Sequence, residues 1–257
     1  MVITPSNFKG GVGKTTTSLL LSYILTEHKN SKVLTIDTDP QENLTFSIAK
    51  TFNKKIDPDK NIFNACFDDS PVKDHIQPIT DNLDLLAGDW KMTEFETEAN
   101  RQFKQSQLQN ILSIVIEPVV KDYDFIIIDT SPYINLVMDN VINITDYVII
   151  TTQTVSMAFE STKKYYDYLI SMSDKTNFEL LGVLPYLVGN SSTDKRYLNK
   201  YQEVFGSELF NHTVKHSDRV KTWTDFGITE DKPYDKKTLG MYEDVVNEML
   251  SKIELFK

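Results

Sequence analysis

The stretch NFKGGVGKTT, residues 7–16, stands between a short apolar run at residues 2–4 and a longer amphipathic run at residues 14–28. Glycines at positions 10, 11 and 13 allow the backbone to adopt positive φ and to turn its N–H groups around an anion. A helix that begins near Lys14 adds the partial positive charge of its N-terminus at the same point. The stretch therefore predicts a strand, a phosphate-binding loop and a helix, with Lys14 on the β- and γ-phosphates of a nucleotide and the Thr15 hydroxyl on Mg²⁺.

The rest of the chain repeats this alternation of short apolar runs and longer amphipathic runs. We predict strands at residues 2–4, 33–36, 83–86, 125–128, 147–150 and 180–184, and helices at about 14–28, 103–117, 158–172, 194–205, 216–226 and 239–255. Three of the strands are apolar throughout, which is typical of strands covered on both faces. The pattern predicts an α/β fold in which helices flank both faces of a mostly parallel central sheet, as one domain over residues 1–257. Pro5 has no backbone N–H to donate, so we expect the first strand to end there.

Composition and charge limit the class of protein. Of the 257 residues, 40% are hydrophobic and 25% are charged, as in globular domains, and the formal net charge is −10. This negative charge argues against a surface coated for nucleic acid or membrane, although it allows a local basic patch. The single cysteine, Cys66, can form neither an internal disulfide nor a thiolate cluster. With no apolar run of about 18 residues and no signal-peptide pattern, the chain is expected to be cytoplasmic and to have no membrane partner.

Acidic residues stand at the ends of two predicted strands. Asp37 and Asp39 follow the second strand, and Asp129 ends the fourth. Two carboxylates two residues apart on an extended strand end point the same way, so one can hold Mg²⁺ through water while the other positions an attacking water. A carboxylate at the end of a buried strand beside the phosphate loop also lies near the metal, which favours a role for Asp129 in orienting a magnesium-bound water.

The phosphate loop departs from the standard pattern, since Phe8 stands where glycine is usual and a second lysine, Lys9, precedes the glycines. This form resembles the deviant Walker A loop of the ParA/MinD family of dimerising ATPases. The resemblance implies that Lys9 reaches the phosphates bound by a partner subunit in a nucleotide-sandwich dimer. Residues 37–43 resemble the switch segment of that family, which makes Asp39 the hydrolysis residue and Asp37 an outer-shell magnesium residue.

The resemblance also implies contacts to the adenine base, because residues 182–186 are similar to the segment that borders it. The candidate catalytic residues are Lys9, Lys14 and Asp39; the candidate nucleotide-binding residues are Lys9, Gly10, Gly11, Val12, Gly13, Lys14, Thr15, Thr16, Pro185 and Tyr186; and the candidate metal residues are Thr15, Asp37 and Asp129.

Several branches of this family are excluded by composition. Nitrogenase-reductase-like and iron–sulfur-carrier relatives need several cysteine thiolates, and this chain has one cysteine. MinD-like proteins end in a basic amphipathic helix that lies on the membrane, whereas residues 241–257 hold four acids and two lysines and predict a helix packed on the sheet. A tyrosine-rich tail like that of the related bacterial tyrosine kinases is absent. The ParA-type DNA-segregation ATPases remain.

A local excess of positive charge fits that branch. Residues 190–221 carry a net charge of +2, while the rest of the chain carries −12. Such a contrast suits a phosphate-binding face on a body that otherwise repels DNA, and a mixed-charge solvated helix pair is the alternative. The candidate DNA-binding residues are Lys195, Arg196, Lys215, Arg219 and Lys221.

The resemblance to this branch implies an ATPase that partitions a plasmid or chromosome by hydrolysing ATP to ADP and phosphate, with Mg²⁺ as its metal. The resemblance implies an ATP-dependent homodimer that binds DNA nonspecifically on the nucleoid and a ParB-type centromere-binding adaptor that stimulates hydrolysis. Since the sequence starts at the first strand, we expect a short form without an N-terminal helix-turn-helix. The alternative is a positioning ATPase of the same family that places a protein assembly.

Overall fold

A seven-stranded sheet lies at the centre of the computed structural model, which describes residues 1–172 and 176–256. The strands are β1 (Val2–Ser6), β2 (Val33–Asp37), β3 (Gln77–Pro78), β4 (Leu83–Leu86), β5 (Phe125–Asp129), β6 (Tyr147–Thr152) and β7 (Glu179–Pro185). Their order across the sheet is β3-β4-β2-β5-β1-β6-β7, and every neighbouring pair is parallel except β3 and β4. All six predicted strands are therefore present, and β3 is the strand that the sequence did not predict.

Helices connect the strands and cover both faces of the sheet, which confirms the predicted fold class. In chain order they are α1 (Lys14–Tyr23), α2 (Asn43–Thr51), α3 (Ile62–Phe67), α4 (Val72–His75), α5 (Phe95–Gln102), α6 (Ile111–Ile116), α7 (Leu136–Ile144), α8 (Ser156–Met172), α9 (Ser192–Phe205), α10 (Asp218–Phe226) and α11 (Pro233–Phe256). A π-helical turn at Ile24–His28 extends α1. Shorter 3-10 turns lie at Trp90–Glu94, Leu108–Asn110, Val120–Asp122 and Gly206–Glu208.

Buried strand residues alternate between two apolar layers, as expected for strands covered on both faces. Ile127 of β5 packs with α1, α2, α10 and α11, whereas Ile126 and Ile128 pack with α3, α5, α6 and α7. Over β6, this second face is completed by α8 and α9, around Phe159 and Tyr201. The carboxyl ends of β1, β2 and β5 consequently meet at one edge of the sheet, between two helical layers.

The last helix packs on the sheet as the sequence predicts. Tyr242, Val246 and Met249 of α11 are buried in the same layer as α1. Lys257, the last residue of the predicted tail, lies outside the described residues. Among the helices of residues 1–172 and 176–256, none combines the length and the apolar character that crossing a bilayer requires.

The first strand runs through Pro5 to Ser6, so the prediction that it ends at Pro5 is wrong. The Val2 carbonyl faces β6, where it accepts a hydrogen bond from the Asp146 N–H at 3.0 Å. Because successive residues of a strand turn to opposite sides, Pro5 turns its nitrogen towards β5, where the pairing ends at Ile3 and Ile127. The missing N–H therefore removes no bond of the ladder, and Pro5 stays in register with Ile149 of β6.

The helix predicted at 103–117 is wrong over its first half. The carbonyl of Leu108 accepts a hydrogen bond from the Asn140 side-chain amide at 2.7 Å, and the Leu112 N–H donates to the same side chain at 3.1 Å. These bonds from α7 hold the backbone in a 3-10 turn, and the regular helix begins only at Ile111. The short helices α2 to α5 and α7 were not predicted, and α11 begins six residues earlier than expected, with Pro233 in its first turn.

Candidate functional site

The phosphate loop lies where β1 ends and α1 begins. Gly11 and Gly13 have φ of +75° and +95°, in the left-handed region that favours glycine. A Cβ built on Gly10 or Gly11 would meet nothing within 4 Å, so the space beside the loop is open. No side chain caps α1, and its first turn carries no acidic residue. The N-terminal N–H groups of this helix therefore point at an open, electropositive cradle that suits a phosphate.

The Lys14 side chain is buried beside this cradle, with 6% of its surface exposed. Its Nζ donates to the Lys9 carbonyl at 3.3 Å. Burial lowers the pKa of Lys14, and the nearby carboxylates of Asp129 and Asp39 oppose that shift. The loop, the Lys14 ammonium group and these two acids thus lie close together.

The Tyr186 side chain is buried against the phosphate loop and does not line an open pocket. Its side chain is 5% exposed, and a Cβ on Gly13 would lie 2.6 Å from its Cγ atom. Its hydroxyl donates to Thr16 Oγ1 at 3.3 Å. The predicted base contact of the Tyr186 ring is corrected by this burial, because no face of the ring is open to a base. Pro185, at the end of β7, is buried as well.

Asp37 and Asp129 end neighbouring strands directly opposite each other, and both side chains are fully buried. Thr45, in the first turn of α2, donates to Asp37 Oδ2 from its N–H at 2.9 Å and from its hydroxyl at 2.8 Å. Burial raises the pKa of Asp37, and the charge of Asp129 raises it further. Burial also raises the pKa of Asp129, although Thr15, Lys14 and other groups oppose the shift. The pair would be stabilised by a cation at this edge.

The donors around Asp129 fit a magnesium ion held together with phosphates. Its Oδ1 accepts from Ser18 Oγ at 3.0 Å, and the nearby Thr15 side chain helps to lower the pKa of the carboxyl. Its buried Oδ2 has no hydrogen-bond partner in the described part of the chain. Residues 1–172 and 176–256 contain no cluster of three or more His, Cys, Asp or Glu side chains able to cage a metal. Mg²⁺ often takes only one or two protein oxygens and completes its shell with phosphates and water, as this arrangement allows.

Asp39 is partly exposed, whereas Asp37 and Asp129 are fully buried. It lines a cleft of 420 Å³ together with Phe95, Glu96 and the segment 131–137. Its Oδ1 accepts from the Gln41 N–H at 2.9 Å. Glu42, which directly precedes α2, has φ of +56°, an uncommon conformation for a residue with a side chain. The switch segment is therefore held in a tight turn that leaves the Asp39 carboxylate beside solvent.

Lys9 is half-buried, and both of its backbone groups are bonded within the loop. Its N–H donates to Asn7 Oδ1 at 3.0 Å, and its carbonyl accepts from Lys14. Within the described residues, the Lys9 ammonium forms no ion pair. Sequence reasoning missed the polar side chains that hold this site from behind, namely Asn7, Ser18 and Thr45. Each of these hydroxyl or amide side chains stands close in sequence to the phosphate loop or to the switch segment, and this closeness could have indicated them. Thr45 lies on α2, which was not predicted.

The predicted DNA-binding residues divide into two groups. Lys195, Arg196, Lys215 and Lys221 are exposed. The Arg196 guanidinium lies 5.2 Å from the centre of the Tyr197 ring. Lys215 lines a second cleft, of 510 Å³, that also contains His216 and Lys237.

Arg219 belongs to the fold and not to a free basic face. Its Nε donates to Asp235 Oδ1 at 2.6 Å, and its Nη2 donates to Thr229 Oγ1 at 3.0 Å. Asp235 is fully buried, and about a quarter of the Arg219 side chain, 26%, remains exposed. The prediction that Arg219 is available to DNA is corrected on this ground, because its Nε and Nη2 groups are already bonded to Asp235 and Thr229 within the protein.

Comparison with known proteins gives related sequences over most of the chain. A family described as an AAA domain matches residues 1–181. An uncharacterized protein from Methanocaldococcus jannaschii is 32% identical over 209 residues, which are 79% of this chain and 78% of that protein. The sporulation initiation inhibitor protein Soj from Bacillus subtilis is 27% identical over 96% of this chain and 97% of its own. A ParA family protein from Chlamydia pneumoniae is 25% identical over 83% of this chain and 82% of its own.

Solved structures match the whole architecture. The McdA–ATP complex from Cyanothece superposes with a TM-score of 0.83 at 21% identity, covering 97% of this chain and 96% of that one. A putative plasmid partition protein from Borrelia burgdorferi bound to AMPPNP superposes with a TM-score of 0.81 at 23% identity, covering 98% of both chains. At these identities the likeness concerns the fold.

Proposed function

Because this chain belongs to the ParA-type ATPases, within the AAA domain family of P-loop NTPases, we propose that it binds ATP with Mg²⁺ and hydrolyses the ATP to ADP and phosphate. One observation carries the proposal: the uncapped N-terminus of α1, the buried Lys14 and the unpaired Oδ2 of Asp129 converge on one edge of the sheet. This is the set of charges that a magnesium nucleotide neutralises. Two related folds have been solved with ATP or AMPPNP.

In this proposal the loop N–H groups and Lys14 bind the β- and γ-phosphates. Thr15 and Asp129 would hold Mg²⁺, with Asp37 near its water shell, and the ion would supply positive charge against the phosphates. Asp39 orients the water whose oxygen attacks the γ-phosphorus as the bond to ADP breaks. Asp39 suits this role because it lines an open cleft, whereas Asp37 and Asp129 are fully buried.

Two copies of the chain are proposed to close over the nucleotides. Lys14 already occupies the position beside the loop, so the Lys9 ammonium is free to reach phosphates held by a partner. The open space beside Gly10 and Gly11 leaves room for that approach. Tyr133 and Ile134, which are 69% and 61% exposed next to the Asp39 cleft, supply apolar surface for the same contact.

The dimer is proposed to bind nucleoid DNA without sequence preference through Lys195, Arg196, Lys215 and Lys221. A monomer presents these few cations on a chain of net charge −10, so its affinity is small. Joining two patches raises the avidity for one duplex. A ParB-type centromere-binding adaptor would then stimulate hydrolysis and release the dimer, so that plasmid or chromosomal cargo is moved.

The second candidate function is the positioning of a protein assembly by the same ATP switch. It is favoured by the weakness of the basic face, since residues 190–221 carry only +2 and Arg219 is bonded to Asp235. ATP-dependent binding of the wild-type chain to unrelated duplexes supports partition. If such binding is absent, while the ATP dimer still forms, the positioning function is supported instead.

The roles of the two lysines are tested by Lys14→Ala and Lys9→Ala. The first removes a charge-assisted bond to phosphate and should lower ATP affinity by about 10- to 100-fold. The second should keep ATP binding and lose dimerisation and hydrolysis. Titration with labelled ATP and light scattering separate these outcomes. Equal loss of ATP affinity in both variants contradicts the cross-dimer role of Lys9.

The role of Asp39 is tested by Asp39→Ala. This variant should bind ATP and dimerise but hydrolyse poorly, because only the group that positions water is removed. Single-turnover hydrolysis at the wild-type rate contradicts the assignment.

The DNA face is tested by reversing two adjacent charges at a time. Lys195→Glu with Arg196→Glu should abolish binding to unrelated duplexes, while the ATP dimer stays intact. Lys54→Glu with Lys55→Glu is a matched control, because these neighbouring lysines are also exposed but lie outside the proposed face. Wherever binding remains measurable, each lost phosphate contact should lower the log–log salt slope by about one unit. If both pairs of substitutions reduce DNA binding equally, the DNA face lies elsewhere.

A further inference from the structure

The side chain of Asn7 uses its whole hydrogen-bonding capacity behind the phosphate loop. It is completely buried. Its Nδ2 donates to the Thr151 carbonyl at 2.8 Å and to Thr162 Oγ1 at 3.0 Å. Its Oδ1 accepts from the Lys9 N–H at 3.0 Å and from Ser161 Oγ at 3.1 Å. An amide side chain has two donor hydrogens and two acceptor lone pairs, and all four are engaged here.

These bonds join the loop to β6 and α8, on the side of β1 opposite β5. Thr162, on α8, donates to Thr152 Oγ1 at 2.7 Å. Thr152, at the end of β6, hydrogen-bonds the Tyr201 hydroxyl at 2.5 Å, and Tyr201 belongs to α9. A continuous buried network therefore runs from the backbone of Lys9 to α9, the helix that carries Lys195 and Arg196.

The anchoring of Lys9 depends on few other contacts. Its neighbours on the C-terminal side are Gly10 and Gly11, which have no side chains to fix the backbone. Within the described residues, Asn7 is the one hydrogen-bond partner of the Lys9 N–H, and the Lys14 ammonium donates to the Lys9 carbonyl. Without the Asn7 amide, the peptide that directs the Lys9 side chain can rotate, while α1 and the first turn that would bind phosphate stay in place.

We propose that Asn7 is a positioning residue, which orients Lys9 towards the nucleotide of the partner subunit and does not itself touch the nucleotide. The proposal rests on the cross-dimer role given to Lys9 above. It separates two properties of one loop: nucleotide binding within the subunit depends on α1 and Lys14, and engagement of the partner depends on Asn7 through Lys9.

The chain offers a matched control for removing a buried amide. Asn140 of α7 is also completely buried, and its side chain makes three hydrogen bonds, two to the Leu108 and Leu136 carbonyls and one from the Leu112 N–H. None of these partners belongs to the phosphate loop, to α8 or to α9. Asn140→Ala therefore measures how much stability is lost when a buried, hydrogen-bonded amide side chain is removed at a position away from the phosphate loop.

The experiment compares Asn7→Ala, Asn140→Ala, Lys9→Ala and the Asn7→Ala/Lys9→Ala double variant in the full chain. ATP affinity is measured with labelled ATP, dimerisation by light scattering, and hydrolysis by phosphate release, with the melting temperature recorded for each variant. Asn7→Ala should keep ATP affinity and lose dimerisation and hydrolysis by about 10- to 100-fold, the size expected from misplacing a catalytic group by about 1 Å. Asn140→Ala should lower the melting temperature about as much as Asn7→Ala does. It should keep wild-type ATP affinity, dimerisation and hydrolysis. The double variant should show no further loss beyond Lys9→Ala, because Asn7 acts through Lys9.

Several results overturn the proposal. Wild-type dimerisation and hydrolysis by Asn7→Ala, beside a deficient Lys9→Ala, overturn it and leave the proposed function standing. Wild-type dimerisation by Lys9→Ala overturns the cross-dimer role and this inference with it. A loss of ATP affinity in Asn7→Ala as large as that in Lys14→Ala also overturns it, since Asn7 would then hold the whole loop.

Milder variants decide the question if Asn7→Ala does not fold. Ser161→Ala removes one donor to the Asn7 oxygen, and Thr162→Val removes one acceptor from its nitrogen. Each should lower dimerisation and hydrolysis in part and leave ATP affinity unchanged. Wild-type dimerisation and hydrolysis in both variants overturn the proposal.

Discussion

Replacement of Arg219 tests whether this residue holds the fold or serves an external ligand. Its guanidinium bonds Asp235 at 2.6 Å and Thr229 at 3.0 Å, and it lies 4.9 Å from the centre of the Tyr234 ring. Asp235 is fully buried and also accepts from the Thr229 hydroxyl and the Lys232 N–H. Arg219→Ala would leave this carboxylate inside the protein without a counter-charge.

The size of the effect follows from the burial of the pair. Removing one partner of a buried ion pair costs about 3–5 kcal/mol, because the other charge is left uncompensated. Here the Arg219 side chain is 26% exposed and Asp235 keeps two other donors, so solvent and those donors compensate part of the loss. Arg219→Ala should therefore lower the free energy of unfolding by about 2–3 kcal/mol, in which the lost cation–π contact accounts for about 0.5–1 kcal/mol.

Urea denaturation followed by tryptophan fluorescence measures this change, since Trp223 lies one turn after Arg219 on α10 and is 1% exposed. Asp235→Ala and the Arg219→Ala/Asp235→Ala double variant complete a cycle, in which the double variant should lose less than the sum of the single ones. A loss below about 1 kcal/mol for Arg219→Ala, typical of a surface pair, would refute the structural role. With that role established, lost DNA binding in Arg219→Glu should be accompanied by a lower free energy of unfolding, because the substitution also breaks the bond to Asp235.

Three further outcomes are expected from the buried contacts. Although burial lowers the pKa of His28, its hydrogen bonds to Glu230 at 2.8 Å and Glu243 at 2.5 Å raise it above its usual value overall. The contribution of His28 to stability should therefore be fully present below about pH 6.5 and be lost as pH rises through the folded-state pKa. Over this range, thermal unfolding of His28→Gln should depend less on pH than that of the wild type. Gly13→Ala should lower the free energy of unfolding, measured by urea denaturation, by about 1–3 kcal/mol, because φ is +95° and the new Cβ would lie 2.6 Å from Tyr186. Gly10→Ala should keep wild-type stability, because its Cβ would meet nothing within 4 Å. Thr45→Val should lower the free energy of unfolding by about 1–3 kcal/mol in the same assay, because the Thr45 hydroxyl donates to Asp37 and accepts from the Gly88 N–H. An unchanged unfolding midpoint contradicts this.

Local patterns predicted the strands better than the helices. The apolar runs at 33–36 and 125–128 became β2 and β5, because continuous apolar side chains suit strands buried on both faces. Over 103–117 the apolar spacing was helical, yet hydrogen bonds from Asn140 hold a 3-10 turn there. Helix α2 was missed because it is short and follows directly on the acidic switch segment.

The sequence by itself determined the strand, the glycine loop, the helix and the placing of Lys9 and Lys14 at its start, because these features depend on backbone geometry within a few consecutive residues. It also placed Asp37 and Asp129 at strand ends. The tertiary structure alone decided that these acids lie opposite each other and are buried, that the Tyr186 ring packs on Gly13, and that Arg219 bonds Asp235. Those outcomes arise from packing between segments far apart in the chain or from burial, and burial determines whether a charged side chain is free for a ligand or is bonded within the protein.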